Sequence, residues 1–168
     1  ALFKILTGEM EPDAGSFKWG VSTSQSYFPQ DNSAFFEGFD EDLICWLRQY
    51  SEDTTETYLR GFLGRMLFSG DEVYKPAKVL SGGEKVRCML SRMMMLRANV
   101  LMLNEPTNHL DAKARKSVAA YLKKKKGFIL VSHDRRFLDD CVDYILSINR
   151  ANIEVQRGNF SSWMSNFE

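Results

Sequence analysis

The chain has 168 residues, 22 Lys plus Arg and 22 Asp plus Glu, so its formal net charge is zero. That length suits one domain with its own core, and the balanced charge gives no overall attraction to nucleic acids or anionic lipids. No apolar run approaches the roughly 20 residues that span a bilayer, and the first residues do not form a signal peptide. The three cysteines, Cys45, Cys88 and Cys141, lack metal-ligand spacing, so we expect free thiols in a reducing cytoplasm.

The first 40 residues predict short elements. Leu2, Phe3, Ile5 and Leu6 are apolar at helical spacing and are followed by Gly8, which predicts the end of a helix. Residues 16–19 and 25–28 predict two short strands. The polar, Phe-rich stretch 31–40 predicts a loop.

The middle of the chain is predicted to be helical. Residues 41–50 and 55–67 each carry an apolar face at helical spacing. A third helix is predicted from Ser81 to about residue 97, where Met94 and Met95 widen the apolar face. We therefore expect this third helix to be buried on more than one side.

Apolar strands and helices alternate after residue 98. Strands are predicted at 100–103 and 128–131, and helices at 112–123 and 135–141. This alternation predicts a parallel sheet that is covered on both faces.

The end of the chain predicts a hairpin and one more helix. The hairpin comprises 144–148 and 153–156 around the turn 149–152, and the helix covers 159–167. The lysine run 123–126 indicates a solvated helix end, where positive charge suits the helix dipole.

The segment 80–85, Leu-Ser-Gly-Gly-Glu-Lys, is the first candidate site. Two glycines after a serine at a helix start expose backbone N–H groups, and the helix dipole adds partial positive charge there, which favours phosphate binding. Taken alone, the segment is also compatible with a serine N-cap followed by a flexible glycine pair.

Further candidates follow the predicted strands. Glu105 comes directly after the strand 100–103, at the end where α/β sheets bind ligands, and could act as a general base toward water attacking a phosphate. His133 follows the strand 128–131 and is expected at the same edge. Gln30 follows the strand 25–28 and is weak evidence alone. Asp111 could cap the next helix, a structural role compatible with a functional one.

Together these motifs resemble the nucleotide-binding domain of ATP-binding-cassette (ABC) proteins. The segment 80–85 resembles the ABC signature, 100–105 the Walker B strand with its catalytic glutamate, 108–111 the D-loop, His133 the switch histidine and Gln30 the Q-loop. The resemblance implies a P-loop NTPase-like α/β fold with a mostly parallel sheet flanked by helices. It also implies a helical subdomain with the signature helix at about 40–97, and the remaining motifs and the hairpin at 98–168.

The amino-acid sequences of two segments resemble those of the ABC-F class. These are Glu-Pro-Thr-Asn-His-Leu-Asp at 105–111 and Gly-Asn-Phe-Ser-Ser-Trp at 158–163. The class implies an ATPase of the cytoplasm that carries two cassettes, has no membrane domain, acts on the ribosome in translation and sometimes confers antibiotic resistance. The sequence leaves two alternatives open: the cassette of a membrane transporter, and, for this chain alone, an inactive fragment.

The resemblance assigns roles to individual residues. Ser81, Gly82, Gly83 and Glu84 would face ATP held by a second cassette. Glu105 would polarise the attacking water, His133 would contact the γ-phosphate, and Gln30 would sense Mg²⁺. The cofactors implied are ATP and Mg²⁺.

The chain departs from the family pattern at two places. No G-x-x-x-x-G-K-[ST] string occurs, and residues 1–6 resemble the helix that follows that loop, so we expect an N-terminally truncated domain. Asn104 stands where the family usually has an Mg²⁺-holding Asp. Because an amide oxygen brings no charge, we expect Mg²⁺ affinity weakened about tenfold.

Overall fold

The computed structural model describes residues 1–150 and 152–166 as seven α-helices and five strands. The strands are β1 (Gln25–Phe28), β2 (Val100–Asn104), β3 (Phe128–Val131), β4 (Tyr144–Ile148) and β5 (Ile153–Arg157). The helices are α1 (Leu2–Leu6), α2 (Leu43–Arg48), α3 (Glu56–Arg65), α4 (Gly82–Leu96), α5 (Ala112–Lys123), α6 (Arg135–Cys141) and α7 (Phe160–Ser165). Three short 3₁₀ turns cover Ser33–Phe35, Gly70–Tyr74 and Ala77–Val79.

The central sheet is parallel, as the alternation of strands and helices predicted. Its strand order is β1-β2-β3, with Phe28 beside Leu103 and Asn104 beside Val131. Strand β2 is the middle strand, and its side chains Leu101, Met102 and Leu103 are fully buried. This burial explains why β2 is a continuous apolar run rather than an alternating one.

The signature helix α4 lies in the core. Met93, Met94 and Met95 are all buried, which confirms that this helix is covered on more than one side. One cluster of buried side chains extends from Phe28 through α2, α3 and α4 to Cys141 in α6. The three thiols are free, as predicted.

The predicted strand at 16–19 is wrong. These residues form no strand, because no strand of the described residues lies beside them to complete a hydrogen-bond ladder. The segment is held by the Trp19 side chain instead, whose indole N–H donates to the Leu6 carbonyl oxygen at 3.1 Å.

The expectation of a sheet covered on both faces also needs correction. Ile129 and Val131 of β3 remain 41% and 46% exposed. Strands β4 and β5 form a separate antiparallel sheet, the predicted hairpin, and they too leave apolar side chains exposed. Two predicted positions, Ala151 in the hairpin turn and Phe167 in the last helix, lie outside the described residues.

Several helices are shorter than predicted. The apolar pattern of 41–50 extends beyond α2, and that of 55–67 extends beyond α3. Met66 is the C-cap of α3, and Leu67 adopts a left-handed φ of 69°, which ends that helix before its last apolar side chains. None of the described helices has the length and apolar character that crossing a bilayer demands.

Candidate nucleotide site

The predicted site residues Gln30, Glu105 and His133 lie side by side at the carboxyl edge of the sheet. Because Phe28 pairs with Leu103, Gln30 follows β1 at the same height at which Glu105 follows β2. Because Asn104 pairs with Val131, Glu105 is likewise level with the residues that precede His133. Gln30 is exposed and Asn104 is half-buried at this edge. Parallel register therefore assembles side chains that are far apart in sequence.

Glu105 is the buried acid of this edge. It is 7% exposed, and its backbone N–H donates to the Val131 carbonyl oxygen at 2.8 Å. Its φ of 51° is left-handed, an uncommon and strained conformation for a residue with a Cβ. One carboxylate oxygen, Oε2, accepts the backbone N–H of His133 at 3.2 Å. The Glu105 carboxylate is thus held against the end of β3.

The other oxygen of Glu105 is chemically available. Oε1 is buried and accepts no hydrogen bond, although the ring nitrogen Nε2 of His133 lies 3.3 Å away. This contact does not have the geometry of a hydrogen bond. A buried carboxylate oxygen without a hydrogen bond is costly, so Oε1 is suited to accept one from a bound molecule.

His133 is held by its backbone, and its side chain is open to solvent apart from the contact with Glu105. The side chain is 97% exposed. The next residue, Asp134, is the N-cap of α6 and accepts the Phe137 N–H at 3.1 Å, which fixes the chain immediately after the histidine. The exposed imidazole can therefore contact a molecule bound at the sheet edge.

The signature segment begins α4 with a capping box. Ser81 Oγ accepts the Glu84 N–H at 3.2 Å, and a carboxylate oxygen of Glu84 accepts the Ser81 N–H at 2.7 Å. The other Glu84 oxygen lies 2.7 Å from the Lys75 ammonium. Burial alone would raise the pKa of Glu84, but these partners outweigh it and hold the pKa below its ordinary value. Glu84 thereby fixes the Ser81 backbone.

Gly82 and Gly83 lie at the open end of α4 and pack against the D-loop. A Cβ on Gly83 would come within 2.5 Å of the His109 carbonyl oxygen, and one on Gly82 would meet the His109 ring at 3.4 Å. At the first turn of a helix the N–H groups have no intrahelical acceptor. These two residues form a cradle of backbone N–H groups that suits a phosphate oxygen.

The D-loop, residues 108–111, is fixed at its far end. Leu110 is buried, and the Asp111 carboxylate caps α5 by accepting the Ala114 N–H at 2.8 Å. Asn108 and His109 are exposed, and His109 has a left-handed φ of 64°. The loop therefore presents two polar residues beside the signature glycines.

Few groups at this edge of the sheet could bind Mg²⁺. Among residues 1–150 and 152–166, no cluster of three His, Cys, Asp or Glu side chains could hold a metal ion. The sheet edge offers hard oxygen donors, the amides of Asn104 and Gln30 and the carboxylate of Glu105, which suit Mg²⁺ in kind. They carry a single formal charge among them.

Two residues of this site were not predicted. Lys75 pairs with Glu84, and no local pattern around Lys75 points to that contact. His109 was recognised only as part of the segment 108–111, and its close approach to Gly83 was missed. The glycine pair was the available signal, since adjacent glycines often mark close backbone approach.

The family is shown by a match to the protein-family model described as ABC transporter, over residues 1–108. The chain belongs to the ABC family. It is an ABC ATPase cassette in sequence and fold, which confirms the resemblance drawn from its motifs.

Related proteins extend over nearly the whole chain. It is 54% identical over 167 residues to "Uncharacterized ABC transporter ATP-binding protein YkpA" of Bacillus subtilis, covering 98% of this chain and 31% of that protein. It is 39% identical to "Probable ATP-binding protein YbiT" of Escherichia coli O157:H7, covering 97% and 31%. It is 27% identical to "ABC transporter F family member 5" of Arabidopsis thaliana, covering 97% and 24%. This cassette sequence thus spans about a third or less of these relatives.

Solved structures share the fold at low sequence identity. A complex of archaeal ribosomal stalk protein aP1 with the archaeal ribosome recycling factor aABCE1 matches with a TM-score of 0.74 and 20% identity, covering 99% of this chain and 33% of that one. A putative metal-chelate type ABC transporter in an inward-facing conformation matches with a TM-score of 0.68 and 18% identity, covering 93% and 66%. These likenesses concern the cassette fold alone.

Proposed function

We propose that this cassette binds and hydrolyses ATP as one of a facing pair of cassettes in an ABC-F protein that acts on the ribosome. The observation that carries the proposal is the buried Glu105 carboxylate, one oxygen of which accepts no hydrogen bond. It lies at the sheet edge where the strands that precede Gln30 and His133 also end. An acid in that state is suited to accept a proton from water.

In the proposed reaction Glu105 is the general base. As the water oxygen forms its bond to the γ-phosphorus and the bond to the ADP oxygen breaks, the water proton passes to Glu105 Oε1. His133 presents its exposed ring to the transferred phosphoryl group and adds hydrogen-bonding stabilisation there. The hydrogen bond from the His133 N–H to Oε2 keeps the carboxylate in position.

The signature residues serve the opposite nucleotide. Ser81, Gly82 and Gly83 present a hydroxyl and backbone N–H groups to the γ-phosphate of ATP bound on the partner cassette. The Glu84 carboxylate is engaged by Ser81 and Lys75, so Glu84 acts by positioning the helix start. Asp111 keeps the D-loop beside these glycines.

Mg²⁺ would neutralise charge on the ATP phosphates when it is bound. Asn104 and Gln30 would hold it through their amide oxygens, in keeping with weaker binding than a carboxylate gives.

The ribosomal role rests on two supports. The sequences of segments 105–111 and 158–163 resemble those of ABC-F proteins. One relative, from Arabidopsis thaliana, is named as an F family member. Among the structures that share the fold is a complex of an archaeal ribosome recycling factor with a ribosomal stalk protein. We propose further that this action on the ribosome protects it against ribosome-targeting antibiotics.

Fractionation tests the proposed function against the transporter alternative. Cells expressing the protein that carries this cassette are lysed with ATP and Mg²⁺, and the ribosome and membrane fractions are probed for it. We expect the protein with ribosomes, and more of it there when the Glu105→Gln variant slows hydrolysis. Recovery with membranes would favour the transporter cassette. Resistance is scored by growth with ribosome-targeting antibiotics.

A further inference from the structure

Helix α5 and the three residues after it concentrate positive charge in a chain of zero net charge. Seven of the 15 residues from 112 to 126 are Lys or Arg, and none is Asp or Glu. We propose that this helix binds the phosphate backbone of an RNA duplex. The choice of RNA rests on the proposed ribosomal function, whereas the backbone contact rests on the charge and geometry below.

The charges fall on one face of the helix, which we call the lysine face: Lys113, Lys116, Lys123 and Lys124. At 3.6 residues per turn these positions lie within about 100° of one another, opposite the buried Ala114, Val118 and Leu122. All four side chains are exposed. Along the axis, Lys116 and Lys124 are about 12 Å apart, so the face can meet several phosphates.

The four ammonium groups of the lysine face form no ion pair with residues that the structure describes. No carboxylate of the described residues lies within 4.0 Å of its four ammonium groups. Arg115, on the other side of the helix, pairs with Asp134 at 3.3 Å. Lys123 and Lys125 line a cavity of about 880 Å³ together with Asp139, Asp140 and Asp143, which form an acidic border against that end of the lysine face. When free ammonium groups meet a polyanion, they displace the cations condensed on it, and the release of those cations favours binding.

The side chains of this surface indicate which polyanion it binds: a membrane, a single nucleic-acid strand or a duplex. Ser117 and Ala120 are the other side chains near the lysine face, and neither could insert into a bilayer as an amphipathic membrane helix requires. The nearby aromatic ring, Tyr121, is half-buried with the Lys125 ammonium 5.1 Å from its centre, so it is not free to stack on an unpaired base. A rigid row of cations without stacking groups suits a duplex backbone.

The test compares two variants that lose equal charge. The first changes Lys116, Lys123 and Lys124 to Gln, which keeps helix propensity and spares Lys113 near the D-loop. The matched control changes the exposed Lys4, Lys18 and Lys78 to Gln. Circular dichroism checks that both variants fold. Fluorescence anisotropy then measures binding to a labelled RNA duplex of about 16 base pairs at several KCl concentrations.

We expect the first variant to bind the duplex at least about tenfold more weakly, with the slope of log K against log salt reduced by about three. The control should bind like the unmodified chain. Unchanged affinity of the first variant would overturn the inference. So would equally tight binding of phosphatidylserine vesicles or polyglutamate, which would assign the surface to another partner.

Ribosome cosedimentation separates this inference from the proposed function. If the unmodified protein cosediments with ribosomes and the Lys116, Lys123 and Lys124 variant binds the RNA duplex normally, the surface assignment fails and the function stands. If the unmodified protein binds the duplex through these lysines but ignores ribosomes, the function fails and the surface stands.

Discussion

The Gly83 backbone lies directly against the carbonyl group of His109, so that a Cβ on Gly83 would approach the His109 oxygen to 2.5 Å. The signature segment and the D-loop are therefore packed as one unit. In the proposed function both would face the partner cassette, and a shift in one would move the other.

Replacing Gly83 with Ala tests this packing. Because the obstructing atom is a backbone oxygen, the D-loop must move, and we expect the free energy of unfolding to fall by about 1–3 kcal/mol. Chemical denaturation measures it. Gly61→Ala in α3 is the control, since nothing lies within 4 Å of its Cβ position and helix propensity should stabilise it by about 0.5–1 kcal/mol. Equal behaviour of the two variants would contradict the close contact.

The charge of Glu84 should stabilise the fold in a pH-dependent way. Glu84→Gln keeps the capping-box geometry but removes the charge next to Lys75. Since the folded pKa of Glu84 lies below its ordinary value of 4.5, its stabilisation is present above that value and is lost as the pH falls through the folded pKa.

We expect Glu84→Gln to lower the free energy of unfolding by about 1 kcal/mol at pH 7, and the difference to vanish at the acid end. Urea denaturation from pH 7 to pH 3 measures it. Glu9→Gln, at an exposed position with no ion pair among the described residues, should show no difference at any pH. A constant difference for Glu84→Gln across this range would mean that the charge contributes nothing.

Local signals explain most of what was predictable. The bounds of α5, β3 and α6 follow directly from the sequence, because each helix begins at an Asp N-cap, Asp111 or Asp134, and β3 is bounded by Gly127. The position of Gln30, Glu105 and His133 at one edge of the sheet is also predictable from the sequence, because the carboxyl ends of parallel strands lie at the same edge.

Tertiary contacts explain what was not predictable. Residues 16–19 have strand-like composition, yet a strand forms only beside another strand, and that information is not local. The pair Lys75–Glu84 and the contact between Gly83 and His109 likewise depend on how distant segments pack.

Asn104→Asp should tighten Mg²⁺ binding. A carboxylate adds charge where the native amide offers only a neutral oxygen, so the Mg²⁺ concentration for half-maximal ATP turnover should fall about tenfold. A Mg²⁺ titration of turnover by the protein that carries this cassette measures it. Asn166→Asp, which adds the same charge on α7's C-cap, should leave the midpoint unchanged. An identical midpoint for Asn104→Asp would exclude Asn104 from the Mg²⁺ site.

The most direct test of the account is ATP turnover by this cassette paired with its partner, with Glu105 changed to Gln. Gln keeps the size of the side chain but is a far weaker base. We predict that the rate of hydrolysis at this site falls about 10²–10⁴-fold while ATP still binds, and that Glu37→Gln, at an exposed position, has no effect. Hydrolysis by Glu105→Gln at the rate of the unmodified cassette would contradict the assignment of Glu105 as the general base.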